Sequence, residues 1–306
     1  MPELPDVTVY VERLTALVGS SVLERVRLKS PFLLRSVAPP LAAVNGKVVR
    51  GVRRLGKRIV FELEGELFMV LHLMISGRLH WKKVGAPLTG RIGLAAFDFA
   101  TGSLVLTEAS TRKRASLYVV QGESELALHD RGGLEPIGST YAQFKQQLLL
   151  ENRTLKRALT APHLFSGIGN AYSDEILHAA GLSPVTLTSR LSAADIKKLH
   201  RATQSTLKHW VATLRAESKD SFPEKVTAFR PDMAVHGKYK QPCPTCGTAV
   251  QRIRYAENEV NYCPRCQTEG RMLADRSLSR LLGSDWPKTV EDWEEEHPQR
   301  RDGTSS

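Results

Sequence analysis

Apolar residues recur at Val7, Tyr10, Val11, Leu14, Leu17 and Val18, the i, i+3, i+4, i+7 stripe of a helix with one buried face. The stripe predicts a helix over residues 6–18, with Asp6 capping its start and Gly19 ending it. From Ser21 to about Val120 the period shortens toward two. Residues 22–28, 48–52, 58–63, 67–73 and 104–106 read as strands, with Glu64-Gly65 and Thr101-Gly102 as hairpin turns. Many short strands behind one leading helix suggest an antiparallel sandwich or barrel. Beyond the Arg131-Gly132-Gly133 break, helical spacing takes over at 141–149, 153–159, 170–180 and 193–214, the last carrying a stripe through Ile196, Leu199, Ala202, Leu207 and Trp210. A strand-rich half followed by a helical half is an α+β chain of two domains. It contains no internal repeat.

Composition narrows the class of partner. The 306 residues suffice for two domains with their own cores, and 42% of them are hydrophobic. No apolar run reaches the roughly 18 residues of a membrane span, and the start lacks the pattern of a secretory signal. The expectation is a monomer in the bacterial cytosol or nucleoid, without membrane attachment. The 43 basic against 32 acidic residues give a net charge of +11, which favours polyanions, nucleic acid above all. Residues 285–296 hold six acids and one Lys, so the rest is more basic still. That acidic stretch and the polar end read as loosely packed or flexible.

All four cysteines lie in one short region. Cys243-Pro-Thr-Cys246 is followed after sixteen residues by Cys263-Pro-Arg-Cys266. Two CxxC knuckles at this separation can set four thiolates tetrahedrally around one Zn²⁺, with residues 249–262 as the hairpin of a zinc ribbon. Four thiolates leave no open position for water, so the metal is structural, one per chain. A thioredoxin-like redox role needs only one CxxC and is the weaker reading. Arg252 and Arg254 on the hairpin can reach phosphates, or simply face solvent.

The start, Met-Pro-Glu-Leu-Pro-Asp-Val, carries the second chemical signal. Initiator methionine is commonly removed before a small residue, which leaves Pro2 with a free secondary amine. An α-amino group has a pKa of about 8, so a useful fraction is nucleophilic at neutral pH. Such an amine can attack a sugar C1′ to form a Schiff base, and Glu3 beside it can move the protons. A proline that is merely a good second residue is the bland alternative; the tethering helix, Glu3 and the basic chain weigh against it.

This start, Gly56-Lys57 on a strand, His72-Leu-Met-Ile-Ser-Gly77, Gly167-Ile-Gly-Asn170-Ala-Tyr-Ser-Asp-Glu175 and the final ribbon occur in the order seen in the Fpg/Nei family of DNA glycosylases, which the chain resembles over residues 1–267. The Glu-Leu start looks more like its formamidopyrimidine branch than like endonuclease VIII. The resemblance implies an N-terminal β-sandwich catalytic domain (1–130), a helix–two-turn–helix DNA-binding domain (131–235), a four-cysteine zinc finger (236–267) and an extension of unassigned role (268–306). It implies damaged double-stranded DNA as partner, base flipping, glycosidic cleavage, and nicking by β- and δ-elimination. Carried over by position, Pro2 is the nucleophile, Glu3 the proton donor and Lys57 the contact to the phosphate beside the lesion. Asn170 matches a backbone-phosphate contact at a helix start, and Lys156 stands where the family has a DNA-facing lysine.

Departures cluster where the family handles its lesion. Ile75 stands in place of the Met that fills the gap left by the flipped base, still an apolar wedge. The family's Asp-Pro-Arg-Arg-Phe-Gly loop is replaced by Glu108-Ala-Ser-Thr-Arg112-Lys113-Arg114-Ala115, with Arg112 the best match for the arginine that pairs with the orphaned base. Asn258 replaces an Arg that grips phosphate, and an uncharged contact there is weaker; weaker δ-elimination or an altered substrate is the consequence. The segment before Val235-His236-Gly237-Lys238 is short, which weakens the case for 8-oxoguanine. Residues 271–282 read as a helix. An AP lyase or glycosylase for another lesion class, and a non-catalytic damaged-DNA binder, are the alternatives; intact Pro2 and Glu3 argue against the binder. A zinc-ribbon transcription-type binder would leave the N-terminus unexplained.

Overall fold

The period-two half forms nine strands in two antiparallel sheets. In the computed structural model the described residues are all except 220, 225, 227–228, 256–257, 275–279, 284–285 and 297–306. The chain divides into two compact units, Met1–Ser139 with Ala161–Gly169 and Leu207–Ala228, and Thr140–Thr160 with Asn170–Thr206 and Phe229–Ser306.

In the first unit, helix α1 (Leu4–Val18) precedes β1 (Val22–Leu23), β2 (Arg25–Leu28), β3 (Lys47–Leu55), β4 (Arg58–Leu63), β5 (Leu67–His72), β6 (Gly77–Lys82), β7 (Gly93–Phe99), β8 (Gly102–Glu108) and β9 (Ser116–Gln121). One sheet runs β1-β3-β4-β5-β9 and the other β2-β7-β8-β6. The structure is therefore a sandwich, not a closed barrel. Tyr10, Leu14 and Val18 of α1 share a core with Phe61, Met69 and Leu71 of one sheet and Phe97 and Leu106 of the other. Each buried aromatic side chain there contributes roughly 1.5–3 kcal/mol through apolar area removed from water.

Several sequence expectations need correction. The expected strand 22–28 is two strands, because Val22–Leu23 pair with β3 while Arg25–Leu28 pair with β7 in the opposite sheet. Strands β6, β7 and β9 lie outside the expected strand segments. β7 is buried along its whole length, so it shows no polar alternation to find. Gly56-Lys57 is not strand but the turn joining β3 to β4, with Gly56 at φ +60°. Helix α1 starts at Leu4, with Glu3 as its N-cap, and Asp6 closes the capping box from inside.

The second unit holds α3 (Tyr141–Leu148), α4 (Leu155–Thr160), α5 (Asn170–Ala180) and the start of α6 (Ala193–Glu217), α2 (Gly122–Ala127) having followed β9 in the first. The hairpin β10 (Gln251–Tyr255) and β11 (Asn258–Tyr262) and the short α7 (Pro264–Thr268) complete the ribbon. The expected helix over 271–282 is wrong at its start, and its residues 275–279 lie outside the described residues. Arg271 bridges to Thr289, and Met272 N donates to the Lys288 carbonyl at 2.8 Å. Nor is the acidic tail loose throughout. Val290–Glu296 is helical, and Val290 and Trp293, at i and i+3, are 1% and 8% exposed. Their apolar face was hidden by the surrounding acids.

Candidate active site and zinc centre

The first turn of α1 draws the chain terminus into the first unit. Pro2 is buried and Glu3 is 2% exposed. Glu3 N donates to Asp6 Oδ2 at 2.8 Å, Leu4 N donates to the Gly167 carbonyl at 2.9 Å, and Gly169 N donates to Glu3 Oε2 at 2.7 Å. Termini fray unless tied down; this one is held by three hydrogen bonds within its first four residues.

Gly169 is the point where Glu3 and Lys57 converge. A Cβ there would lie 2.5 Å from Glu3 Oε1 and 2.6 Å from Lys57 Nζ, so only glycine leaves the ends of both side chains where they sit. Gly167, at φ +76°, is similarly required, since a Cβ would meet Leu4 Cβ at 2.8 Å. Arg54 buttresses the turn that carries Lys57, donating to the Gly56 carbonyl at 3.0 Å and pairing with Glu135, to which Ser166 also donates.

Burial sets the electrostatics of this corner. Burial lowers the pKa of the terminal amine, here that of Met1; Glu3 and Asp6 oppose the shift, while Arg78 and Lys57 add to it. Desolvation disfavours the ammonium, so a larger share is neutral at pH 7. Burial also pushes Asp6 up to about 7, against the hydrogen bond from Glu3 N. Asp6 Oδ1 is buried without a protein hydrogen-bond partner. His72 is pushed down to about 4 by burial and by Arg58 and Lys57, so it is neutral under ordinary conditions.

Two exposed turns carry the expected lesion probes. Ile75 is 50% exposed on a tight turn closed by Gly77 N donating to the Leu73 carbonyl at 2.9 Å. The preceding Met74 has φ +54°, a strained state for a non-glycine residue that thrusts Ile75 outward. Arg112 is exposed on the loop after β8. Glu108, at the end of β8, supports both turns. Its carboxylate accepts from Arg114 N at 3.0 Å, Ala115 N at 3.2 Å and Ser76 Oγ at 3.4 Å.

In the second unit Asn170 opens α5, and its Nδ2 donates to the Glu259 carbonyl of the ribbon at 2.8 Å. Lys156 is buried; its ammonium donates to the Asn170 carbonyl at 2.6 Å and pairs with Asp174 at 2.5 Å. Asp174 also binds His236 Nδ1 at 2.8 Å. Glu175 accepts from the backbone N–H groups of Ala234, Val235 and His236 at 2.7–2.9 Å. These acids were visible in the quoted motif, but their partners lie far along the chain. Asn258 opens β11, and its side chain lies outside the described residues. Arg252 stacks over the Tyr239 ring at 4.1 Å and pairs with Glu259 at 3.2 Å.

The thiol atoms of Cys243, Cys246, Cys263 and Cys266 all lie within 4.8 Å of one another, with Cys246–Cys263 at 3.4 Å and Cys243–Cys266 at 3.9 Å. Tetrahedral zinc with Zn–S of about 2.3 Å needs sulfur atoms about 3.8 Å apart, so the donor set fits. Burial pushes Cys263 up and Cys266 to about 12, and these thiols ionise when a cation offsets their clustered charge. The zinc is structural: it cross-links the two knuckles of the ribbon.

Residues 1–130 match the formamidopyrimidine-DNA glycosylase N-terminal domain, 133–221 its H2TH domain, and 240–268 the zinc finger found in FPG and IleRS. The chain is similar to the formamidopyrimidine-DNA glycosylase of Bacillus subtilis (strain 168), 30% identical over 281 residues, covering 88% of this chain and all of that protein. The enzyme of the same name from Moorella thermoacetica is 29% identical over 263 residues, covering 83% and 95%. Among solved structures, Lactococcus lactis Fpg with DNA containing an oxidised pyrimidine matches at TM-score 0.76 and 25% identity, over 87% of this chain and 100% of that one. The same protein with DNA containing an abasic site matches at TM-score 0.75 and 24% identity, over 87% and 99%. The chain belongs to the Fpg/Nei family of DNA glycosylase/AP lyases.

Proposed function

We propose that the protein excises oxidised or ring-opened bases from damaged double-stranded DNA and then nicks the strand, with the Pro2 amine as nucleophile. The observation that carries this is the buried Glu3 carboxylate, 2.7 Å from Gly169 N, beside a buried Pro2. The Pro2 nitrogen attacks C1′, the bond from C1′ to the sugar ring oxygen breaks, and Glu3 gives its proton to that departing oxygen. The base leaves with the glycosidic electron pair, and loss of the amine proton leaves an iminium. Loss of a C2′ proton then expels the 3′ phosphate by β-elimination. Lys57, beside Glu3, contacts the phosphate next to the lesion. Residues 1–130 carry this chemistry.

Asn170, at the start of α5, binds a further phosphate, favoured by the helix dipole. Ile75 fills the space of the flipped base and Arg112 meets its former partner. Lys156, bound to Asp174, acts on DNA through the placement of Asn170. With Asn258 in place of Arg, δ-elimination is weak relative to β-elimination. The bacterial relatives are in keeping with a site of action in the cytosol and nucleoid. The altered probes favour a second reading within the same chemistry, an enzyme whose preferred lesion is not 8-oxoguanine.

Borohydride trapping on DNA containing 8-oxoguanine, thymine glycol, dihydrouracil or an abasic site tests the assignment. A covalent complex is expected on abasic DNA and on at least one oxidised base, and it is lost in Pro2→Gly. No complex on any substrate, or complexes unchanged in Pro2→Gly and Glu3→Gln, would overturn it. Clean δ-product from wild type would overturn the claim for Asn258.

A further inference from the structure

Helix α5 carries a polar stripe at i, i+4 and i+8, Asn170, Asp174 and His178, and the partners of the first two are already described. The third points at the metal centre. His178 Nε2 lies 3.2 Å from Cys243 Sγ, and that cysteine is 2% exposed. The same end of the helix is docked on the ribbon through Gln267 Nε2, which donates to the Leu182 carbonyl at 2.9 Å.

Four thiolates around one Zn²⁺ carry a net charge of −2, and a buried charge is costly unless hydrogen-bonded. The ribbon supplies some donors of its own, including Cys266 N to Cys263 Sγ at 3.5 Å and the hydrogen bonds of Thr248 to Cys246. For Cys243, His178 is a side-chain partner brought from outside the ribbon. The four thiols fill the tetrahedron by themselves and leave His178 no position on the metal, while 3.2 Å is within reach of a hydrogen bond between its Nε2 and Cys243 Sγ.

We infer that His178 is an outer-sphere positioning residue of the zinc centre, its Nε2–H donating to the Cys243 thiolate, and that α5 thereby fastens the centre to the helix that begins at Asn170. The bond withdraws charge from the sulfur. It makes the bound thiolate a poorer nucleophile toward alkylating agents and oxidants, and it holds Cys243 in the geometry the metal requires. Removal of such an outer partner commonly costs about 10- to 100-fold in metal affinity. The inference is independent of which lesion the enzyme removes.

The test uses the full-length zinc protein. In chelator competition His178→Phe is expected to bind zinc about tenfold or more weakly, and to release it faster under a thiol-alkylating reagent. His178→Gln, which keeps an N–H donor, recovers part of both. Equal affinity and release rate in wild type and His178→Phe would overturn the inference. Should the Phe variant fail to fold, the cadmium-113-substituted wild type decides: a coupling from cadmium to the His178 Hε2 proton is expected. A His178 nitrogen bound directly to cadmium, or an Nε2 bearing no proton, would overturn the inference.

Discussion

The terminal corner of the sandwich and its two exposed turns belong to one compact unit, yet they are built on opposite principles. At the corner, Pro2 and Glu3 are buried, three hydrogen bonds tie the first residues down, and a glycine leaves room where Glu3 and Lys57 meet. At the turns, Ile75 and Arg112 project outward, and the support comes from beneath, through Glu108. A reacting group must be held to within a fraction of an ångström, because a small misplacement costs orders of magnitude in rate. A probe that enters DNA has to be free of its own protein. Under the proposed function this is the contrast to expect between chemistry at the corner, which tolerates little change, and lesion reading at the turns, which can depart from the family pattern.

The largest test of this contrast removes the corner. Glu3→Gln keeps the shape and a hydrogen-bond acceptor for Gly169 N but cannot supply the proton. Excision of an oxidised base in single-turnover assays should fall by about 10³-fold, within the range for a positioned general acid. Ile75→Ala should still trap on abasic DNA and lose about tenfold on intact lesions. Comparable losses for both variants on both substrates would erase the distinction.

Gly169→Ala comes next. The added methyl collides with Glu3 and Lys57 while leaving both chemically intact. The rate of borohydride trapping should fall about 10²-fold, the scale of a displacement of roughly 1 Å. Thermal stability should change little if the two side chains simply move aside. A variant that traps at the wild-type rate would show that the convergence at Gly169 has no part in the chemistry.

Much of the corner was legible because it is local: Pro2, Glu3 and Asp6 are neighbours in sequence, and α1 announces itself by its apolar stripe. The zinc centre was legible for the same reason, two short knuckles at ribbon spacing. Gly169 as a contact of Glu3, Glu108 beneath both turns, and Glu175 under residues 234–236 were not legible. Each is a polar partnership across 32 to 166 positions or nearby through a loop of unfamiliar sequence, and such pairs leave no periodic trace. The buried β7 failed for a related reason, since alternation vanishes when both faces are covered. Lys156 shows the limit of matching by position. The residue type agreed with a DNA contact, while its ammonium is engaged by Asp174 and the Asn170 carbonyl.

The smallest effect concerns the cost of the buried corner, and it is read in stability. Asp6 ionises at about 7 when folded, against 3.8 for an ordinary aspartate, because burial disfavours its charged form. Between these values the folded state holds a proton that the unfolded chain has released. The stabilising difference is therefore fully present below about pH 4 and is lost as pH rises through 7. Between pH 5 and pH 8 wild type should lose roughly 2–3 kcal/mol from this group, and Asp6→Asn, neutral throughout, should not. Urea denaturation of both proteins at pH 5 and pH 8 isolates the effect as a difference of differences, since every other titrating group is shared. If the two proteins change in parallel, Asp6 carries no such shift. If only wild type weakens at high pH, the corner that orders Glu3 does so by keeping a carboxyl where it resists its own charge.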